Sequence, residues 1–439
     1  MFSILADRTY RHLFLAQIVS LLGTGLATVA LGLLAYDLAD RDAGLVLGTV
    51  FAIKMASYIV VAPIAGAFTD RLPRRAVLVF LDLVRAGIAL ALPFVTEVWQ
   101  VYVLIFLLQS ASAAFTPTFQ ATIPDIIPEE DRYTRALSLS RLAYDLENLI
   151  SPMLAALLLA VVTYHGLFIG TVLGFLASAL LVLSVILPVS GPPVRRGIYA
   201  RTTHGIRIYL ATPRLRGLLA LNLAAAAAGA MVLVNTVVLI RTGLRLENSD
   251  VAVALAFFGC GSMLAALVLP RLLDRYGNRP VMFAGAAALG LSLVVFAVTI
   301  EIIGLAWSAM LAAWFTIGVG YSAVLTPSGR LLRQSAHPED RTAIFAAQFS
   351  LSHACWLVTY PLAGWLITTS GPSTALWSLA CLAVAGVLFA RILWPKTDEE
   401  VLEHDHDDLP QDHPHVQGSR SHSHKFVIDE YHQHWPTHH

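Results

Sequence analysis

Charged residues are scarce in this chain. Asp, Glu, Lys and Arg make up only 13% of its 439 residues, against about 25% in a typical soluble domain. Apolar residues make up 57% of the chain, and a single globular core stops growing at roughly 250–300 residues. This composition excludes an ordinary cytosolic enzyme, a nucleic-acid binder and a disordered scaffold. It favours a protein whose surface faces the lipid bilayer.

Cysteine is also rare. The three cysteines, Cys260, Cys355 and Cys381, lie in apolar stretches and form no CxxC pair, which excludes a disulfide framework and a thiolate metal site. The chain also lacks the G-x-x-x-x-G-K-[ST] loop of ATP-binding proteins. No constellation of catalytic residues stands out, so we expect neither an enzyme nor a bound cofactor.

Long apolar runs dominate the sequence. A helix needs about 20 apolar residues to cross a bilayer core of roughly 30 Å, and the alternating pattern of a membrane barrel is missing. No small-residue cleavage site follows the first run, so we interpret it as a membrane helix and not as a removed signal. Twelve runs qualify: 12–38, 45–68, 76–97, 99–122, 136–162, 165–187, 216–240, 250–273, 280–301, 303–326, 342–368 and 372–394.

The arginines predict the orientation of these spans. The chain has 26 Arg and three Lys, and the loops on one side hold nearly all the loop arginines, whereas the opposite loops hold only Arg41, Arg241 and Arg245. Because positively charged loops stay in the cytoplasm, both termini are predicted to be cytoplasmic.

The two halves of the chain carry matching landmarks. The stretch from Gly66 to Arg75 aligns with that from Pro270 to Arg279, and the interval of twenty residues from Arg132 to Pro152 recurs from Arg341 to Pro361. Repeated landmarks indicate a parallel duplication of a six-helix unit. We therefore predict bundles at 1–187 and 216–394, a cytoplasmic linker at 188–215 and a disordered His-rich cytoplasmic tail at 395–439.

These residues resemble a known family. The motif Gly66-x-x-x-Asp70-Arg71-x-x-Arg74-Arg75, its degenerate copy and the six-plus-six layout resemble the major facilitator superfamily over residues 1 to 394. The resemblance implies an all-α membrane protein, with twelve transmembrane helices in two bundles that rock about a midplane cavity. It also implies a gating loop on the cytoplasmic side, formed by Gly66, Asp70, Arg71, Arg74, Arg75, Asp274, Arg275 and Arg279.

Two departures from the family pattern stand out. Pro73 replaces the usual glycine of the first motif copy, although Gly277 keeps it in the second. Span four reads Leu108-Gln109-Ser110-Ala111 where proton-driven exporters carry an arginine. Asp82 and Arg85, one turn apart in span three, are interpreted as a structural pair that supports the Asp70 loop.

Few ionisable residues lie deep in the predicted spans. Such groups cost about 2.5–3.5 kcal/mol near a helix centre, so each is a functional candidate. Asp145 and Glu147 lie nine and eleven residues into span five, close to the midplane. Asp145 has Arg141 one turn earlier and Asn148 nearby, so an internal ion pair is the alternative there. Glu147 has no local partner and is the leading proton or cation candidate.

Lys54 in span two and His353 in span eleven are the other deep ionisable residues. The family resemblance places these two helices opposite each other across the bundle interface. A lone histidine is more often a hydrogen-bonded core residue than a ligand. His353 therefore remains either a packing residue or a ligand or proton carrier.

The C-terminal tail is rich in histidine. Ten of the fifteen histidines lie in the last 45 residues, with aspartates between them. Imidazole with carboxylate and no thiolate suits Ni²⁺, Co²⁺, Zn²⁺ or Cu²⁺. The alternatives are a purification tag or a solvated tail, but a tag is normally one unbroken run. The predicted metal ligands are His404, His406, His413, His415, His422, His424, His432, His434, His438 and His439.

A facilitator body with such a tail resembles the nickel-resistance exporters of bacteria, a branch related to macrolide and siderophore exporters. We expect a monomeric antiporter of the bacterial inner membrane that exports Ni²⁺ or Co²⁺ in exchange for protons, confers metal resistance and binds no nucleic acid. One alternative is an exporter of a drug or siderophore with a metal-sensing or buffering tail. Another is a non-transporting membrane receptor or store for metal.

Overall fold

The computed structural model describes residues 2–39, 43–69, 72–159, 161–187, 198–246, 248–396, 401–405 and 421–428, with residues 432 and 435. The described chain is helical apart from one pair of short strands near its C-terminus. Its α-helices are α1 Arg8–Ala39, α2 Ala43–Thr69, α3 Arg74–Ala91, α4 Val98–Ile126, α5 Glu130–Leu159, α6 Tyr164–Leu183, α7 Ile198–Ala211, α8 Pro213–Val238, α9 Asn248–Tyr276, α10 Asn278–Ile303, α11 Trp307–Leu325, α12 Ser328–Gln334 and α13 Arg341–Leu393.

Helix α13 contains two successive helices. At Gly371 the backbone adopts φ 83° and ψ 174°, a positive φ that glycine tolerates without the steric cost of a side chain. This break falls between the predicted spans 342–368 and 372–394. Short 3-10 helices cover Phe2–Ala6, Leu92–Phe94 and Pro338–Asp340, and a π-helical turn covers Leu239–Leu244.

Nine helical segments within the described ranges are long and apolar enough to cross a membrane. Helix α2 contributes a shorter apolar stretch, Ala52–Ala65, and α5 begins with the polar sequence Glu130-Asp-Arg-Tyr. The protein is an all-helical, multi-pass membrane protein, and twelve spans with cytoplasmic termini remain a prediction.

Helices α1–α6 form the N-half and α8–α13 form the C-half. Small residues allow close helix contacts within the C-half, as is common in membranes. A Cβ atom on Gly318 of α11 would lie 2.0 Å from the backbone oxygen of Phe258 in α9, so only glycine fits there. Helix α8 is the most buried of the candidate spans, and its residues Ala224–Ala228 are fully buried.

Helix α7 lies in the predicted linker and packs against α2 and α13. Tyr209 is fully buried and donates a hydrogen bond to Gln348 of α13. Burial raises the pKa of the Tyr209 phenol well above its ordinary value, so the hydroxyl stays a donor at physiological pH. We call the side of the molecule that carries α7 the linker end; the sequence predicts it to be cytoplasmic.

The described part of the tail has regular structure, where the sequence analysis expected disorder. Strands β1 Val401–Asp405 and β2 Ser421–Lys425 pair antiparallel, with His404 opposite His422. Leu402, Phe426 and Ile428 are buried in the core cluster of the C-half. These apolar residues, dispersed among the histidines, explain the difference because their burial holds the strand pair on the helical body.

Candidate transport cavity and gate

A cavity of about 470 Å³ lies between the two halves. Helices α1 to α5 line it on one side, and α11, α12 and α13 line it on the other. The volume is within the roughly 300–1,000 Å³ range of small-molecule sites. Aromatic side chains form much of the wall: Tyr58, Phe115, Phe119, Tyr144, Tyr321, Phe345, Phe349, Trp356 and Tyr360. The described charged residues of the lining are Lys54, Arg85 and Arg141.

The structure brings Lys54 and His353 to the same part of this cavity, with Tyr58 between them. The Lys54 ammonium lies 5.7 Å from the centroid of the Tyr58 ring, and the His353 ring meets that ring edge-on at 4.8 Å. Nδ1 of His353 donates to the backbone oxygen of Phe349 at 2.6 Å, because a carbonyl only accepts. In the neutral ring, Nε2 is then an acceptor.

Arg141 of α5 reaches across to the C-half. Its Nε donates to the hydroxyl of Ser262 in α9 at 3.1 Å, and its guanidinium lies 4.7 Å from the centroid of the Tyr321 ring. Arg141 thus holds the two halves together beside the cavity. From the sequence, only a local pair of Arg141 with Asp145 is expected.

Three predicted site residues follow Arg141 on the same helix. Arg141 and Tyr144 line the cavity, and the backbone of Asp145, Glu147 and Asn148 continues α5 from there. The side chains of these three residues lie outside the described part of the structure. Their roles in binding cargo or protons stay predictions.

The pair Asp82 and Arg85 lies deeper than the sequence analysis expected. Both side chains are buried in α3 and form an ion pair. Arg85 lies eleven residues into the helix, about 16 Å from its start, and lines the central cavity. The pair therefore lies beside the cavity, and its support for the loop stays a prediction because Asp70 is outside the described residues.

Ion pairs and hydrogen bonds join the two halves at the linker end; we call them the gate. Asp125 of α4 binds both Arg74 of α3 and Arg341 of α13. Arg330 of α12 binds Glu130 of α5 at 2.7 Å.

Two further gate contacts support the pair of Arg330 and Glu130. Arg330 donates to the hydroxyl of Thr134 at 3.1 Å, and the Gln334 amide donates to Glu130 at 2.9 Å. Most of these groups are partly buried, so solvent screens them less than ordinary surface ion pairs.

The predicted gating-loop residues divide between the gate and other contacts. Arg74 takes part through Asp125, and Asp274 lies 3.7 Å from Arg330. Three others stay within their own halves: Arg75 binds the backbone oxygen of Leu183, Arg279 binds that of Trp394 at 3.1 Å, and Arg275 lies over Tyr276 at 5.2 Å. Gly66 lies in α2, whereas Asp70 and Arg71 are outside the described residues.

The sequence analysis did not assign a gate role to Asp125, Glu130, Arg330 or Arg341. A signal was present, because Glu130 follows Pro128 and Arg341 follows Pro338 within the repeated landmarks. Those landmarks mark equivalent positions in the two halves, and the structure places them at the gate.

The tail packs beside the gate. The Trp435 ring lies 5.5 Å from the guanidinium of Arg214, and Arg214 donates to the Ser335 hydroxyl at 2.8 Å and to the Gln334 backbone oxygen at 3.2 Å. Val427 lines a crevice of about 250 Å³ together with Glu130. The tail thus contacts the chain segment that carries the C-half part of the gate.

The predicted metal ligands are only partly within the described structure. His404 and His422 are opposite each other in the strand pair, and His424 is opposite Leu402. His432 is buried, with its ring 4.7 Å from Phe426. Within the described residues no group of three or more His, Cys, Asp or Glu is placed to hold a metal ion. The remaining predicted ligands, His406, His413, His415, His434, His438 and His439, lie outside them.

Comparison with known proteins gives matches in both sequence and structure. The family model described as Major Facilitator Superfamily matches residues 13–246 and 218–417. Macrolide efflux protein A of Streptococcus pyogenes is 27% identical over 184 residues, which cover 41% of this chain and 45% of that protein. The protein of the same name from Enterococcus faecalis is 29% identical over 143 residues, 31% of this chain and 44% of that protein. The matches thus span less than half of these relatives.

Solved structures match over nearly the whole body. The human organic anion transporter MFSD10 superposes with a TM-score of 0.75 at 12% identity, covering 88% of this chain and 99% of that one. A bacterial homologue of the iron transporter ferroportin in an outward-facing state superposes with a TM-score of 0.71 at 16% identity. The match covers 88% of this chain and 98% of that one. At these identities the likeness concerns the fold alone.

Proposed function

Because the chain belongs to the Major Facilitator Superfamily, we propose that it is a secondary transporter that exports a divalent transition metal, Ni²⁺ or Co²⁺, from bacterial cytoplasm. The proton gradient across the inner membrane would drive it, since the sequence lacks an ATP-binding loop of the P-loop type. The tail would collect metal, and the cavity would carry it.

The location of the tail carries this proposal. A segment with ten histidines is anchored beside the gate by Leu402, Phe426 and Trp435. Ligands tethered next to an entrance raise the local concentration of metal there without adding any contact in the cavity. A segment of this composition at the mouth of a transporter is best explained by a metal cargo.

The gate supports a transport cycle that begins on the linker side. Cargo from that side reaches the cavity only after the contacts of Asp125 with Arg341 and of Glu130 with Arg330 break. Glu147 and Asp145, with His353, are proposed to hold the metal during its passage, because carboxylate and imidazole suit divalent transition metals. The described cations of the lining also have other partners: Arg85 binds Asp82, Arg141 binds Ser262, and the Lys54 ammonium lies 5.7 Å from the centroid of the Tyr58 ring.

Radioactive nickel uptake into everted membrane vesicles tests the proposal. The full chain should accumulate nickel when respiration acidifies the vesicle interior, and nigericin should abolish the accumulation. Glu147→Gln should lose it. A full-length variant with His404, His406, His413, His415, His422 and His424 replaced by Asn should keep it at high nickel and lose it at low nickel.

One result overturns the proposal. Nickel that associates with the vesicles regardless of the gradient, and that disappears when the histidines are replaced, would mean that the tail only binds metal. The metal-store alternative would then account for the histidines, and the cargo of the cavity would be sought among organic molecules.

The walls of the cavity favour a second candidate, export of an amphipathic drug or siderophore. Aromatic rings line it together with Lys54, Arg85 and Arg141, a lining that suits an organic anion. The matched relatives named as macrolide efflux proteins fit the export of an amphipathic drug. It would be preferred if cells expressing the chain tolerated macrolides or chelators better while their nickel content stayed the same.

A further inference from the structure

The buried pair of Asp82 and Arg85 is the one element of α3 that packing does not explain. Asp82 is fully buried, and Arg85 is 4% exposed. The guanidinium lies between two aromatic rings, 4.0 Å from the centroid of Phe115 and 4.5 Å from that of Phe175. The pair thus lies inside the N-half, while Arg85 also lines the cavity.

We expect this pair to add little net stability. One carboxylate oxygen of Asp82, Oδ2, and Nε of Arg85 have no hydrogen-bond partner. A buried ion pair repays the cost of leaving water only when its remaining polar atoms are also hydrogen-bonded. Apolar side chains of similar size are often as stable in such a place. A role in transport therefore explains the pair better than a role in folding.

We propose that Asp82 carries the proton of the transport cycle and that Arg85 passes the change of charge to the cavity. The inference rests on the proposed function, a proton-driven exporter of a metal cation. A proton from the acidic side forms an O–H bond at Oδ2 of Asp82. The neutral acid no longer balances the guanidinium, so a net positive charge remains beside the cavity.

That charge couples the proton to the metal. A divalent cation in the cavity is repelled by an unbalanced Arg85, because charges interact strongly in a poorly hydrated site. Protonation of Asp82 therefore releases the metal on the acidic side. Loss of the proton on the linker side restores the pair and lets the cavity accept the next ion. Proton and metal then occupy the protein alternately.

Among the described residues, Asp82 is the anionic partner of Arg85. The other described titratable groups that interact with Arg85 are Tyr58 on α2 and Tyr144 on α5, and ordinary phenols carry no charge near neutral pH. Helix α6 places Ser178 next to Asp82, and α4 contributes the neutral Phe115 ring. Lys54, Arg141 and His353 line the same cavity; the first two add positive charge.

The sign of the coupling identifies the class of cargo. For a metal cation, acidification should weaken binding to the cavity. For an organic anion, the same change should strengthen it, since the freed guanidinium would attract the cargo. The pH dependence of exchange therefore tests the pair and the proposed cargo separately.

The test uses full-length variants in everted vesicles and two assays, gradient-driven nickel accumulation and nickel counterflow without a gradient. In the wild type, the nickel concentration that gives half-maximal counterflow should rise at least tenfold from pH 8 to pH 6. Asp82→Asn imitates the protonated state. Its nickel accumulation should fall at least tenfold, and its counterflow should persist. The nickel concentration for half-maximal counterflow should be high and should no longer change with pH.

The double variant Asp82→Asn/Arg85→Gln removes both charges. It should regain counterflow at low nickel without regaining accumulation, because the repelling charge is absent and so is the proton carrier. Glu147→Gln should be inactive in both assays. This result would distinguish a cargo ligand from a proton carrier. Asp37→Asn, at an exposed carboxylate, should behave as the wild type.

Accumulation by Asp82→Asn or by the double variant, with the pH dependence of the wild type, would overturn the proposal. The double variant keeps the test decisive if Asp82→Asn does not fold, because it leaves no unpaired charge. If the wild type transports no nickel, the proposed function fails, and infrared difference spectroscopy then tests Asp82 directly. A protonated-carboxyl band induced by acid and missing in Asp82→Asn supports the role; an unchanged band refutes it.

Discussion

The third helix of each half differs sharply in its interior chemistry. Helices α3 and α10 both follow a copy of the repeated loop motif, yet α3 buries Arg74, Asp82 and Arg85, whereas every buried residue of α10 is apolar or glycine. The duplicated halves thus share a layout but not a charge pattern. Helix α3 of the N-half carries the buried ion pair, and the C-half supplies the core cluster against which the tail packs.

The gate shows the same asymmetry. Asp125 and Glu130 come from the N-half, and their partners Arg341 and Arg330 come from the C-half. In these two ion pairs across the halves, the N-half supplies the carboxylates and the C-half the guanidinium groups, so the halves attract each other at the linker end. The difference between the halves therefore has two consequences, a site for charge inside the N-half and an attraction between the halves that can be broken in each cycle.

Breaking the ion pair of α3 on one side should have the largest effect on stability. Arg85→Leu leaves the Asp82 carboxylate buried without its partner, which costs about 3–5 kcal/mol for pairs of this kind. The double variant Asp82→Leu/Arg85→Met should be close to the wild type, because both charges are gone. Heating detergent-solubilised protein and following monodisperse material by size exclusion measures the difference.

Helix α10 is the apolar counterpart of α3. The volume-conserving change Leu289→Met in α10 should lower the free energy of unfolding by less than about 1.5 kcal/mol. It serves as the matched control. If Arg85→Leu proved as heat-resistant as Leu289→Met, the loss of one partner of the ion pair in α3 would not destabilise the protein, and the predicted contrast between α3 and α10 would be wrong.

Weakening the gate should have an intermediate effect. Asp125→Asn keeps the shape of the side chain and removes the charge that holds Arg74 and Arg341. A charged hydrogen bond is worth about 1.5–3 kcal/mol, so the linker end should open at least fivefold more often.

Labelling with a water-soluble maleimide measures that opening. The reporter is Leu332→Cys at the cavity wall, in a chain whose three native cysteines are replaced by serine. Asp131→Asn, an exposed carboxylate of the same end, should label at the wild-type rate. Equal labelling of Asp125→Asn and Asp131→Asn would show that the ion pairs do not hold the gate closed.

Loosening the tail should have the smallest effect. Trp435→Ala removes the ring that lies 5.5 Å from Arg214, a cation–π contact worth about 0.5–1 kcal/mol. Brief trypsin treatment should then release the tail a few times faster. Trp365→Ala, which changes an exposed tryptophan of the body, should leave the rate unchanged. Slower or equal release in Trp435→Ala would contradict the docking of the tail.

Much of the fold follows from local sequence signals. The apolar runs predict the helices, and Gly371 breaks α13 between the two predicted last spans. Pattern and composition suffice here because a helix in lipid satisfies its own backbone.

The partners within the site do not follow from local signals. Asp125 and Arg341 form an ion pair although they are 216 positions apart in the sequence. The repeated landmarks show only that the two regions are equivalent in the two halves. The few apolar residues of the tail are dispersed among histidines and other polar residues. Their pattern therefore does not predict that Leu402 and Phe426 join the core of the C-half. Asp82 and Arg85 were visible as a pair, but their depth depends on how α3 packs against α4 and α6.

Nickel and proton fluxes measured together in proteoliposomes test the central claim most directly. The purified full chain would be reconstituted with a pH-sensitive dye inside, and nickel would be added outside without a gradient. The account predicts that nickel entry drives protons out, and that Asp82→Asn still exchanges nickel but moves no protons. Nickel association without any proton movement, removed by replacing the tail histidines, would contradict it.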